Sequence, residues 1–278
     1  MPKSKTPKPD KLAPLREEAR RVLHAALALE AQPAHPDTAF AAQDLFYGAM
    51  ELRRPEAVLR RCIKAVQINP NAPDPLSSLA EFVGGSSKEQ IAIYRKIVAA
   101  GERDLGKQAF KELEGDFWGF IETRPYMRAR HKLAMVLRAA GQLEDAAREY
   151  QEMLRLNPND NQGVRYSLLG LYLQLGWLQP ARKLWQQYAE EYSAFWAWGR
   201  VLLEVLSKDE LAATQVLEQA RKVNAYAEAY LGGWKPLPKD LPPYYSPGDE
   251  TEAMVCAVEI GAAWKAHPKA MHWLEQQK

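Results

Sequence analysis

The chain has 278 residues, 47% of them hydrophobic, which is enough to bury one large core or two ordinary ones without disulfide staples. Its 37 basic residues against 35 acidic leave a formal charge of +2, too balanced to steer the protein toward nucleic acid or an anionic membrane. Cys62 and Cys256 each sit in an apolar helical pattern, which predicts two buried thiols in a reducing compartment rather than a disulfide framework.

In chain order, MPKSKTPKPDK (1–11) alternates lysine and proline and lacks the hydrophobic centre of a signal peptide, so a disordered basic tail is expected. No later window approaches about 18 uninterrupted apolar residues. No membrane contact is predicted, and a cytoplasmic location is expected. Residues 12–231 carry helical repeats. Leu45, Phe46 and Ala49, then Val58, Cys62 and Ala65, with Pro70 after them, mark one pair of helices; Leu79, Ala80 and Val83, then Tyr94 and Ile97, mark a second. The clearest pair begins near Met127. Leu133, Ala134 and Leu137 lie on its first helix, Gly141 at the turn, Ala146 and Tyr150 on the second helix, and Pro158 closes it. That is the tetratricopeptide pattern, with its period of about 34 residues, and small residues such as Ala134 and Ala146 belong where two backbones cross closely. Leu168, Leu169, Tyr172, Gly176, Ala181 and Trp185 repeat it, and a fifth pair spans Phe195–Leu206 and Leu211–Val223. The fold predicted is an all-α, tetratricopeptide-like right-handed helical solenoid of about five helix pairs.

Two segments interrupt the period. Residues 101–125 read as an insertion between units, and insertions in solenoids fall on one face, often the binding face. Residues 232–250 hold so many prolines that an extended strap is expected. A helix then restarts with Asp249 as N-cap and Glu252 as its capping-box partner, and residues 232–278 are predicted to cap the last repeat. Trp196 and Trp198, two apart on one helix, are expected to point in different directions, one into the core and one outward.

The strings AQDLFYGAM, KEQIAIYRKIVAAGERDLG, ETRPYMRAR, LNPNDNQGVRYSLL and PGDETEA resemble the tetratricopeptide proteins related to the suppression-of-tumorigenicity-seven family. The similarity runs from about Ala39 to Leu274. It implies a helical repeat scaffold and brings no catalytic residues. Animal members look membrane-associated, a property that does not transfer to a chain without a spanning segment.

No signature of chemistry stands out. The five histidines and two cysteines lack metal-ligand spacing, so no metal is expected, and no phosphate loop, dinucleotide turn or nucleophile elbow is present, so no cofactor is expected. Glu112, Glu114, Asp116 and Glu122 read as a solvated face or as partners for nearby arginines. Asp160 or Asn161 can cap the helix that follows them.

The groove of a tetratricopeptide array is lined by the first helix of each pair, here at Arg128, His131, Met135 and Arg138 and then at Gly163, Tyr166, Gly170 and Leu173. Arg124, Tyr126, Arg128, His131, Arg138, Arg165 and Tyr166 are the candidate contacts, because guanidinium and aromatic groups together grip an acidic or C-terminal carboxylate segment. The expected function is non-catalytic binding of a protein or peptide. The alternative is an enzyme or accessory subunit with a polar site around residues 101–125. RNA binding is disfavoured by the balanced charge. Oligomeric state is left open by the sequence.

Overall fold

The computed structural model describes residues 12–30 and 32–278; the tail expected over residues 1–11 lies outside them. Among the described residues the chain forms fourteen α-helices, one short 3₁₀ turn and no strand. Proline explains much of this. Six helices carry a proline in their first two positions, where its missing N–H has no intrahelical partner and its fixed φ suits the opening turn. The chain divides into two compact units, one reaching to Gln142 and taking in Arg155–Asn159, the other comprising Leu143–Leu154 and Asp160–Lys278.

The first unit holds α1 (Ala13–Leu29), α2 (Pro36–Met50), α3 (Pro55–Ile68), α4 (Pro73–Val83), α5 (Ser87–Glu112) and α6 (Arg124–Ala139). α2 pairs with α3, α4 with α5, and α4 also packs against both α2 and α6. α1 covers α3, α4 and α5. Leu23, Leu59, Cys62, Leu76, Leu79, Tyr94 and Ile97 form the core, and the Cys62 thiol is buried as its pattern predicted. A polar plug fixes the link between α1 and α2. Asn71 Nδ2 donates to the Gln32 carbonyl at 3.0 Å, and Asn69 Nδ2 donates to Asp104 at 3.0 Å, while burial pushes the Asp104 carboxyl up.

Residues 101–125 are not a separate insertion. Gly101–Glu112 continue α5, which Ser86 and Glu89 start with a reciprocal capping box and which breaks its helical dihedrals only at Gly106, where φ is 72°. The break lets Phe110 turn inward, where its ring meets Phe117 at 5.1 Å and Tyr126 at 5.2 Å. The remainder is pinned as well: Gly115 and Phe117 donate to the Leu156 carbonyl, and the Thr123 hydroxyl donates to the carbonyls of Phe117 and Phe120. The apolar residues of this stretch pull it into the core.

The second unit takes in most of α7 (Leu143–Leu156), then α8 (Val164–Gln174), α9 (Leu178–Gln187), α10 (Ala194–Ser207), α11 (Glu210–Val223), α12 (Ala227–Leu231), α13 (Glu250–Ala266) and α14 (Pro268–Gln276). α8 pairs with α9 and α10 with α11. Gly141 and Gly176, at φ of 76° and 69°, stop α6 and α8 in the same way: the residue after each glycine donates back to the carbonyl five positions earlier, Gln142 to Leu137 and Trp177 to Tyr172. Ala146 and Ala181, like Ala134 of the first unit, are fully buried, as their small size and apolar helical spacing predicted.

Three expectations are corrected in this unit. Trp196 and Trp198 are both buried, because α10 is packed by α8, α9, α11, α13 and α14 and has no side left for a solvent-facing tryptophan. Asp249 does cap α13, accepting from Thr251 and Glu252, but the Glu252 carboxylate is used elsewhere: it accepts from Gly248 at 2.8 Å and from the backbone of Ala194 at 3.0 Å. Finally, the C-terminal segment is no end cap. α13 packs along α8, α10 and α12 in turn. The proline-rich stretch between α12 and α13 holds no helix, as expected.

Candidate partner-binding surfaces

In the first unit the candidate surface is assembled by α2, α4 and α6. Asp74 stands in the first turn of α4, where an acid suits the positive end of the helix, and its side chain is only 6% exposed. Arg128 of α6 takes both of its oxygens, Nε at 3.0 Å and Nη2 at 2.5 Å. Gln43 of α2 adds a third bond at 2.7 Å, and Arg128 Nη2 also reaches the Tyr47 hydroxyl at 3.4 Å. Burial alone would lower the Arg128 pKa, but the hydrogen bonds and charge of Asp74 outweigh it and raise the value, so the guanidinium stays charged. Lys132 pairs with Glu81 further along the same two helices, one turn on along α6 and two along α4. Around these charges stand large exposed apolar side chains: Phe40 at 74%, Tyr47 at 41% and Met135 at 48%.

The predicted contacts on α6 divide. Arg124, Arg128, His131 and Arg138 share one stripe with Met135, following helical spacing. His131 and Arg138 are half-buried there. Arg124 donates to the Trp118 carbonyl at 2.9 Å and lies over the Trp118 ring, and Glu114 pairs with Arg155, so neither Arg124 nor Arg128 is engaged as the acidic stretch suggested. Tyr126 is in the core at 1% exposure, with its hydroxyl, whose pKa burial raises, placed between Glu102 and Arg130. It offers no ring to a partner. The sequence reading missed Phe40, Gln43, Tyr47 and Asp74; the aromatic pair Phe40 and Tyr47, seven apart on α2, was the one legible signal.

In the second unit Arg165 and Tyr166 are built into a closed network. Asp160, at φ 49°, accepts from the backbone of Val164 and Arg165, capping α8, and from Arg165 Nη1 at 3.0 Å. Arg165 Nε and Nη2 hold Glu191 at 3.1 and 2.5 Å, and its guanidinium lies over the rings of Tyr166 at 4.5 Å and Tyr188 at 5.4 Å. The Tyr166 hydroxyl donates to Glu191 at 3.0 Å and is pushed up to about 12, chiefly by burial. Its ring stacks on Phe195, which Tyr245 of the strap also touches. The donors of Arg165 are thus consumed inside the fold.

Burial alone would push the Glu191 carboxyl up, but hydrogen bonds from Arg165 and Tyr166 outweigh it and the net shift is down. A carboxylate lowered on folding contributes stability that is complete above its unfolded pKa and is lost as pH falls through the folded value. Glu191→Gln is therefore expected to cost about 1–2 kcal/mol at pH 7. The deficit against the parent should shrink as pH drops below the usual glutamate value of about 4.3. Urea denaturation of both proteins at pH 7 and pH 3 measures it, and a deficit independent of pH would contradict this account.

Of the remaining predicted groove positions, Gly163 precedes α8, and Gly170 and Leu173 meet the α13 segment. A Cβ on Gly170 would stand 2.7 Å from the Glu259 carbonyl, Ser167 donates to the Glu259 side chain at 2.7 Å, and the Leu173 carbonyl meets His267 Nε2 at 2.7 Å. Among the described residues no group of three or more His, Cys, Asp or Glu side chains is placed to hold a metal.

The described residues therefore define an all-helical protein built from packed helix pairs, in which no helix is long and apolar enough to cross a membrane. Comparison with known protein families, with curated proteins and with solved structures finds no match to this chain.

Proposed function

We propose that this chain is a non-catalytic protein- or peptide-binding scaffold of the tetratricopeptide type, akin to the suppression-of-tumorigenicity-seven proteins it resembles in sequence. In this reading α2, α4 and α6 are the first helices of successive pairs, and the face they share in the first unit is the contact surface. The observation that carries it is the combination on that face of exposed Phe40, Tyr47 and Met135 with a guanidinium held rigid by Asp74. Arg128 spends Nε and Nη2 on Asp74 and Tyr47, which leaves Nη1 for an acidic side chain or terminal carboxylate of the partner. The aromatic rings supply apolar contact at low ordering cost, and the flexible thioether adapts its shape to the partner.

A photo-crosslinking amino acid placed at Phe40 and at Met135 is expected to trap the same partner from native lysate, and one placed at Leu211, 73% exposed on α11, is expected to trap none of it. Unrelated products at Phe40 and Met135, or equal yield at Leu211, would remove the surface from consideration.

A further inference from the structure

In the second unit the C-terminal α13 covers a surface shared by three other helices. α13 lies on α12 and on α8 and α10, the two helices that stand first in their pairs if the array is read as tetratricopeptide repeats, and that reading is the premise here. Its buried face, Glu252, Ala253, Cys256, Ala257, Ile260, Ala263 and Trp264, runs at helical spacing.

The most specific contact is electrostatic. Glu252 is 1% exposed, yet its carboxylate is served by three N–H donors: the backbone of Ala194 at the first position of α10, the Asn224 side chain at 3.0 Å, and Gly248. Asn224 is itself held in place, since its Oδ1 accepts from the backbone of Tyr226 and Ala227 where α12 begins. A helix N-terminus and a preset amide make a carboxylate site, and Glu252 occupies it. The tether delivering it is loosely held. From Pro236 to Tyr244 the strap makes no hydrogen bond or ion pair; it is fastened at its ends, by Trp234 and Lys235 donating to the Ala229 carbonyl, by the Lys235–Glu250 ion pair, by Ser246 donating to Thr251 and by Asn224 donating to the Asp249 carbonyl.

We propose that Glu250–Gln276 is an intramolecular ligand, and that the groove of the second unit recognises helices with a carboxylate in the first turn followed by a stripe of small and apolar residues. The groove is closed while α13 is docked and becomes available when the strap carries it away as a block.

Hydrogen exchange of the intact chain tests this without any partner, so its failure would leave the contact surface of the first unit untouched. The amides of α13 and α14 are expected to exchange together, at least about 10-fold faster than those of α10 and α11, as a subglobal unit. Protection of α13 equal to that of α10 overturns the proposal. A second measurement uses the full chain with a protease site inserted between Leu237 and Lys239 and then cleaved. A fluorescent peptide of residues 246–278 is expected to replace the cleaved segment, and the same peptide carrying Glu252→Gln to bind at least about 10-fold more weakly, because charge-assisted bonds are lost. A nicked chain that refuses the peptide, or accepts both peptides equally, also overturns it.

Discussion

Arg128→Glu is expected to destabilise the first unit by about 2–3 kcal/mol, at or just below the low end of the range for breaking a buried ion pair, because the Arg128 side chain is 36% exposed. The substitution leaves Asp74 with a side chain 6% exposed and no cation, and adds a second carboxylate beside it. The cost stays at the low end because Gln43 still donates to Asp74 and the start of α4 still favours a negative charge. Chemical denaturation followed by circular dichroism measures the loss. The double variant Asp74→Asn with Arg128→Gln should recover part of it, since the uncompensated charge is gone and the two effects are coupled through direct contact. An unchanged midpoint for Arg128→Glu would mean that the pair contributes nothing. It follows that reversing Arg128 cannot serve as a clean probe of binding, whereas labels at Phe40 and Met135 can, because those side chains project from the surface.

Trp198→Ala is expected to cost about 3–5 kcal/mol, the usual range for removing a large aromatic from a core. Trp198 has no exposed surface, and its indole N–H donates to the Asn224 carbonyl at 3.3 Å. The substitution thus opens a cavity between α10 and its neighbours and takes a donor from the residue that holds Glu252. The loss should appear in the unfolding of the second unit, read by the near-ultraviolet signal of its tryptophans. A loss below about 1 kcal/mol would be typical of a surface position and would contradict the packing described.

The sequence was most legible where the physics is local. Proline at a first turn, glycine in the left-handed region after Arg138 and Leu173, and a helix period in the apolar residues each act over a few positions, so the helix pairs at Leu45–Ala65, Leu79–Ile97, Leu168–Trp185 and Phe195–Val223 follow from the chain itself. The burial of Ala134, Ala146, Cys62 and Cys256, the Asp249 and Asp160 caps and the strap were readable for the same reason.

What the tertiary structure decided was which element covers each face. Periodicity says how much of a helix is apolar but not which neighbour lies on it, so the same pattern that marks α13 as a helix is silent on its packing along α8 instead of at the end of the array. α10 is apolar almost all round, and only the number of helices around it shows that both Trp196 and Trp198 must be inside. The carboxylate that fixes Arg128 stands 54 positions away on α4, while Glu114, much nearer in sequence, pairs with Arg155. Ion pairs form between groups that folding brings within a few ångströms in a poorly solvated place, and that distance is a property of the packed helices, not of their order along the chain.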